Sequence, residues 1–454
     1  VFAVTTTPVP CGPLVAFDAV ADAAGTIWVV AAEPADTLRV LRSADLGATW
    51  TRWLSLYHAG VRKVATTIGI AGSPLCIAAL DTTAAGDVWL WRVDRDSPSA
   101  SRVPVAVGPD TIDNISLTVD RDPTPYVYCL YVSERRAGRT GALARSPDFG
   151  ETWSPRTEFW NCWQPFLTHT RGSVIHCAWR YALTGTEIHH AYNRHYGESR
   201  YWSTVRVVAR GPARRSGPVI VQADTSDELN ATAWTFFTTA WRETTGRDVD
   251  YSVSPRNGDW WAAPVTFGNS FIEQWPADAG ADLAGPGGVV GLLCFSGGLY
   301  PGGPYGLWWS TASARDPNYW TQPVPISDRP VRTDIRPRIL YPQTSPGRLP
   351  VFLYAADSAL WCSRPWRTAG PESADAGRWT GSPPTGLEFR CPASGRYTLV
   401  LYDAAGRVLA RPFAGTLVAG QHQFALPAGL RGGPFFAVLR GPTGTERRKL
   451  VRPN

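Results

Sequence analysis

A short apolar segment, a turn and a second short segment recur seven times along this 454-residue chain, and no other feature limits the fold as tightly. The pairs are residues 27–31 with 38–42, 75–80 with 88–93, 126–132 with 142–145, 174–179 with 188–192, 231–237 with 249–253, 289–295 with 306–310, and 351–354 with 359–363. Equivalent points on the second segments, Arg42, Arg92, Arg145, Tyr192, Val253, Trp309 and Cys362, lie 47 to 61 residues apart, about 53 on average. That period holds a four-stranded sheet with its loops, and a series of such sheets is a β-propeller. Aromatic residues make up 12% of the chain and charged residues only 18%, with 43 Gly and 39 Pro, which excludes a coiled coil, a helical repeat and a disordered chain. The expected fold class is all-β: an arm over residues 1–17, a seven-bladed β-propeller over 18–384, and a small antiparallel β-sandwich over 385–454.

After its second segment the first unit reads Ser43-Ala44-Asp45-Leu46-Gly47-Ala48-Thr49-Trp50, and the third reads Ser146-Pro147-Asp148-Phe149-Gly150-Glu151-Thr152-Trp153. Both are S-x-D-x-G-x-T-W. The Asp side chain accepts backbone N–H bonds in a tight turn, the Gly permits positive φ, and the Trp packs between neighbouring sheets. Ser43, Asp45, Gly47 and Trp50, like Ser146, Asp148, Gly150 and Trp153, are therefore structural residues. Degenerate copies end in Trp202, Trp261, Trp320 and Trp379, each 59 residues after the last, and the second unit has no copy. The motif is the Asp-box, and with it the repeat resembles the sialidase-like, BNR-repeat propellers. The resemblance implies the fold without implying hydrolysis, because function lies in a site and not in its scaffold.

The period stops near residue 384. Residues 386–391, 397–402, 408–412, 420–425 and 435–439 then alternate as strands. The run at 397–409, Tyr-Thr-Leu-Val-Leu-Tyr-Asp-Ala-Ala-Gly-Arg-Val-Leu, resembles the C-terminal sorting domain of type IX secretion, an Ig-like module. Gly-Gln-His-Gln-Phe at 420–424, Gly-Pro-Phe-Phe at 433–436 and Lys-Leu-Val at 449–451 add to the likeness. It implies a bacterium with an outer membrane and a product carried across it; the alternative is an Ig-like spacer with no sorting role.

The net charge is +6, nearly all of its basic side arginine, with Lys63 and Lys449 the only lysines. Apart from Arg447, Arg448, Lys449 and Arg452 the cations are scattered, so nucleic acid is not an expected partner. The longest apolar stretches, such as 289–295, are too short to span a bilayer. The chain opens on Val1 and contains no Met, which reads as a mature product whose leader has been removed, so an extracellular or cell-surface location is expected. Cys76, Cys129, Cys177 and Cys294 hold matching positions in four units; such positions on stacked sheets are about 10 Å apart, beyond the roughly 7 Å reach of a disulfide. They read as buried apolar residues. Cys11, Cys162, Cys362 and Cys391 remain, and Cys11 could join Cys362 or Cys391 to staple the chain ends. There is no C-x-x-C, and His189 and His190 point to opposite faces of one strand, so no metal or cofactor is expected.

A propeller closes its ring by completing the last blade with a strand from the other chain end. The fourth strand of the seventh unit is cut short at Ser382-Pro383-Pro384, while residues 2–7 have strand character. The arm either closes its own ring or adds to a neighbouring subunit; the second reading makes the protein a secreted structural subunit that self-associates into a homopolymer or surface layer. The alternative is a sialidase-like glycoside hydrolase or a glycan-binding propeller with surface glycans as partners. Its candidate residues, each placed before an inner strand, are Arg215, Glu273, Asp334 and Arg336, beside Arg214 and Arg338. Resemblance to sialidases implies an arginine triad that includes the first blade, where residues 11–15 read Cys-Gly-Pro-Leu-Val, so no sialidase activity is expected. A cluster of arginines and acids at the ring centre would favour the alternative; a dry centre would favour the structural subunit.

Overall fold

The computed structural model describes residues 2–69, 72–81, 86–107, 111–120, 124–135, 138–154, 157–169, 174–222, 232–240, 247–267, 274–282, 288–297, 305–313, 316–321, 323–342, 349–367, 386–391, 394–403, 408–418, 420–425, 433–441 and 444–452. They fall into two compact units, Val1–Thr368 and Ala369–Asn454.

The first unit is a seven-bladed propeller. Each blade is an antiparallel sheet of four strands, and the sixth carries a short fifth strand, Val324–Pro325. From blade 1 to blade 7 the innermost strands are Ala16–Ala21, Lys63–Ile68, Thr111–Val119, Cys162–His169, Arg214–Gln222, Gln274–Asp282 and Arg338–Leu340. Neighbouring innermost strands pack on one another around the whole ring, the seventh against the first included. The most apolar of the second strands, Leu75–Leu80 and Val351–Ala356, are buried throughout because sheets cover both of their faces. The outermost strands meet water, and Thr51–Tyr57 is largely exposed.

One apolar cluster fills each blade interface, and the turns after the third strands clamp it. Trp50, Trp153, Trp202, Trp261 and Trp320 each pack, partly buried, on the cluster between their own blade and the preceding one. Trp379 lies outside the described residues. The turns of blades 1 and 3 have the same hydrogen bonds. Ser43 Oγ donates to Asp45 Oδ1 (2.8 Å) and accepts from Gly47 N (2.7 Å), while Asp45 accepts from Thr49 N (2.8 Å) and Thr49 Oγ1 (2.6 Å). Ser146, Asp148, Gly150 and Thr152 repeat all four distances. Gly47 and Gly150 stand at φ 87° and 89°. A side chain there would also strike the preceding blade, at Cys362 Sγ and Leu90 Cδ2 respectively, so the turn needs Gly both for its backbone and for its close approach.

Phe2–Val9 is the outermost strand of blade 7. It pairs antiparallel with Ala359–Arg367, from Phe2↔Arg367 to Val9↔Leu360. The edge that the sequence left open is thus filled by the same chain, and the homopolymer reading loses the unpaired edge on which it rested. Cys76, Cys129, Cys177 and Cys294 are buried free thiols as expected from their register. Cys11 and Cys362 are free as well, so the staple between these two is not formed; the Cys391 side chain lies outside the described residues.

In the second unit Gly386–Cys391 pairs with Gly420–Ala425, and a four-stranded sheet runs in the order Val408–Leu417, Gly395–Asp403, Gly433–Gly441, Gly444–Arg452. This is narrower than the Ig-like sandwich expected from the sequence: the described residues give an all-β unit of two antiparallel sheets.

Candidate functional site

Antiparallel order puts the starts of the first and third strands and the ends of the second strands on one face of the ring, opposite the Trp turns. On that face the ring axis opens between the innermost strands, and their side chains tie the blades together. Acceptors on one strand take backbone N–H groups of the next: Asp18 Oδ2 from Thr66 (2.6 Å), Ser116 Oγ from Leu167 (3.1 Å), Gln164 Oε1 from Gly217 (2.9 Å) and Asp278 Oδ2 from Ile339 (3.0 Å). The strands can offer these groups because four of them are irregular, with register shifts between Ile112 and Asn114, Trp163 and Phe166, Ser216 and Val219, and Pro276 and Asp278. Gln164 holds a positive φ of 49°, which a non-glycine residue seldom adopts.

Two carboxylates and two guanidiniums meet here. Arg338 Nε lies 3.0 Å from Asp18 Oδ1 and 3.5 Å from Asp278 Oδ2. Arg336 Nη2 donates to Asp278 Oδ1 (2.8 Å) and its Nε donates to the Ala277 carbonyl (3.1 Å). Its guanidinium then stacks 4.4 Å from the ring of Phe166, on blade 4. Blades 7 and 4 face each other across the ring, so Arg336 spans the axis. Both acids are buried, whereas the Arg336 side chain stays 38% exposed. Among the described residues nothing accepts from its Nη1. Burial pushes the Asp18 carboxyl above its usual range, and the Arg338 charge and the Thr66 and Ala19 amides pull it back in part.

Further out on the same face, two guanidiniums lie over the Trp163 ring, Arg139 at 4.5 Å and Arg180 at 4.3 Å from the centroid. Arg139 is paired with Asp113 (3.0 Å) and Glu134 (3.6 Å). Lys63 donates to the Asp113 carbonyl (2.7 Å) and lies 3.3 Å from Asn114 Oδ1.

The sequence-derived candidates are not brought together. Arg336 reaches the axis, with Arg338 beside it. Arg215 is buried between blades, where its Nη1 donates to the Thr186 carbonyl (2.6 Å) and its guanidinium lies over Phe237, so it is a strut. Asp334 is 66% exposed in an ion pair with Arg332 (2.6 Å), away from the carboxylates of the axis. Glu273 lies outside the described residues. Asp18 and Asp278 went unread, although an acid inside the apolar run of Ala16–Ala21 was a visible sign of a buried, partnered carboxylate.

A second buried polar cluster sits between blades 4 and 5. His176 Nδ1 lies 3.0 Å from His190 Nε2, His176 Nε2 2.9 Å from Asn257 Oδ1, and Trp261 Nε1 donates to His190 Nδ1 at 3.3 Å. Among the described residues no group of three or more His, Cys, Asp or Glu is placed to hold a metal. No helix among them is long and apolar enough to cross a membrane.

The chain matches no protein family and no curated protein. Solved structures share its fold at low identity. The α-L-arabinofuranosidase Arb93A of Fusarium graminearum is 12% identical over 67% of this chain and 94% of its own, with a TM-score of 0.46. The sialidase NanB of Streptococcus pneumoniae is 11% identical over 79% of this chain and 70% of its own (TM-score 0.41), and the lectin of Aleuria aurantia, solved with α-methyl-L-fucoside, is 11% identical over 69% and 100% (TM-score 0.41). By their names these three neighbours are an arabinofuranosidase, a sialidase and a lectin.

Proposed function

We propose that this chain is a glycan-binding propeller whose axial mouth holds an acidic saccharide, with Arg336 as the anion contact. The observation that carries this reading is the fixed, partly exposed guanidinium of Arg336 on the axis, held by Asp278, the Ala277 carbonyl and Phe166, with no acceptor for its Nη1 among the described residues. A cation already ordered before binding loses little freedom when a carboxylate arrives. Hydrolysis is the weaker reading, because the two acids beside Arg336 are saturated. Asp18 accepts from Ala19 N and Thr66 N and pairs with Arg338; Asp278 is held by Arg336, Arg338 and Ile339 N. Neither is free to protonate a leaving group or to attack a sugar.

Titration calorimetry with galacturonic acid and with neutral sugars tests the reading. Uronate binding should weaken about tenfold or more in Arg336→Ala, as expected for a lost charge-assisted hydrogen bond. Equal binding by this variant, or release of reducing sugar from an acidic oligosaccharide, would count against it. We also infer export, on the likeness of residues 385–454 to a sorting segment; a reporter fused to them that stays inside the cell would remove that inference.

A further inference from the structure

Among the described residues no carboxylate pairs with Arg180 or Arg214 on this face. Arg180, on the second strand of blade 4, is partly buried against Trp163, and an added side chain at Gly185 would strike its Nη2. Among the described residues no acid pairs with it. The carbonyl of that same Gly185 accepts from the N–H of Arg215 (2.9 Å), which brings the chain at Arg214 beside Arg180; burial and the charges of Arg214 and Arg139 push the Arg180 guanidinium below its ordinary value. Arg214 opens the innermost strand of blade 5, is exposed, and has no acidic partner among the described residues. A cluster of cations held together without acids is a site that an anion relieves.

The position of this cluster relative to Arg336 gives the ligand its length. Phe166, under Arg336, and Trp163, under Arg180, flank the bulge of one strand and pair with Ala178 and Arg180, two residues or about 7 Å apart on the next. One carboxylate cannot contact both. Trp163 does not offer an open face for stacking, because guanidiniums lie over it; its part is to hold Arg139 and Arg180 in place.

Resting on the glycan-binding reading, we propose that Arg180 and Arg214 form a second anion subsite, and that the ligand is an oligosaccharide bearing acidic groups on separate units. The first engages Arg336 at the axis and a later one engages Arg180 and Arg214, so that affinity grows with chain length until both are filled.

The test is titration calorimetry of the full chain with galacturonic acid oligomers of increasing length, heparin-derived oligosaccharides and polyphosphate. The wild type should gain about tenfold or more in affinity between monomer and oligomer. Arg180→Gln and, separately, Arg214→Gln should reduce that gain; Arg214 is exposed, so its replacement keeps the test valid if the Arg180 variant fails to fold. The carboxylate and sulfate arms show which acid the subsite prefers, and a length gain in either supports the proposal. Wild-type affinity that does not change with length, a gain that survives both replacements, or polyphosphate bound as tightly as the oligosaccharides would overturn it. The two readings separate cleanly: if Arg336→Ala binds like the wild type while the Arg214 variant loses the length gain, the axial contact falls and the second subsite stands.

Discussion

Trp261 sets the protonation of two histidines. Its indole N–H donates to His190 Nδ1, so the proton of a neutral His190 sits on Nε2 and is donated to His176 Nδ1; His176 in turn donates from Nε2 to Asn257. Each ring is neutral with one tautomer, and a further proton on either breaks the chain. Burial lowers the His176 pKa to about 4 and pushes that of His190 well below its ordinary value, with the His176 charge adding to the effect. The unfolded chain therefore binds protons that the folded one refuses, and stability falls as pH drops through the window from about 6.5 to about 4. At pH 5 His176 alone should cost about 2 kcal/mol relative to neutral pH. Urea unfolding at pH 7.5 and 5 measures this, and His190→Gln should flatten the slope; a wild type equally stable at both values would show that the pair titrates normally. Asp45 acts in a lower window. Burial raises its pKa, but the Thr49 and Ser43 bonds outweigh that and bring it to about 2, so the turn keeps its bonds until well below pH 4.

The Trp turn is an element whose cost on removal can be graded. Trp153 packs on the cluster of blades 2 and 3 but is only partly buried, so Trp153→Ala should cost about 2–3 kcal/mol, less than the 3–5 of a fully buried aromatic. Asp148→Ala, which leaves Trp153 in place and frees the Thr152 and Ser146 donors, should cost about 1–2 kcal/mol. Chemical unfolding of both variants checks the order; a larger loss for Asp148→Ala would place the weight of the turn in its hydrogen bonds. Strand type decided what could be read beforehand. Second strands such as Leu75–Leu80 are legible because burial on both faces demands an unbroken apolar run, and third strands such as Val88–Val93 because large apolar residues dominate them. Innermost strands such as Thr111–Val119 mix apolar with polar residues, and a bulge breaks the alternation in this one, so neither their period nor their ends stand out; strands of this type carry Asp18, Trp163 and Asp278 of the candidate site. Arg336 was legible only as one of several arginines near a strand. The abundance of arginine also has a structural counterpart. Arg42 lies 3.9 Å from the ring centroid of Trp53, Arg102 4.3 Å from that of Trp89 and Arg329 3.7 Å from that of Trp361, so guanidiniums cover aromatic faces that water would otherwise meet.

Across the whole molecule, the ring depends on one pairing between distant parts of the chain. Deleting residues 2–9 should lower the melting temperature of the propeller and expose the edge of Ala359–Arg367, which then templates association with other copies. Calorimetry and sedimentation check both effects; a truncated protein that is as stable as the full chain and monomeric would show that blade contacts alone hold the ring. The same strand orders events in time. Six blades are built from neighbouring residues and can form as soon as each has been made, but Phe2 must wait for Arg367 before it has a partner. Closing so long a loop costs about 5 kcal/mol of chain entropy, recovered only when the last sheet zips. Ring closure is therefore the late step of folding, and a nascent chain remains an open arc of finished blades until its seventh blade arrives. Pulse proteolysis during refolding should find the N-terminal strand protected last, in a single slow phase.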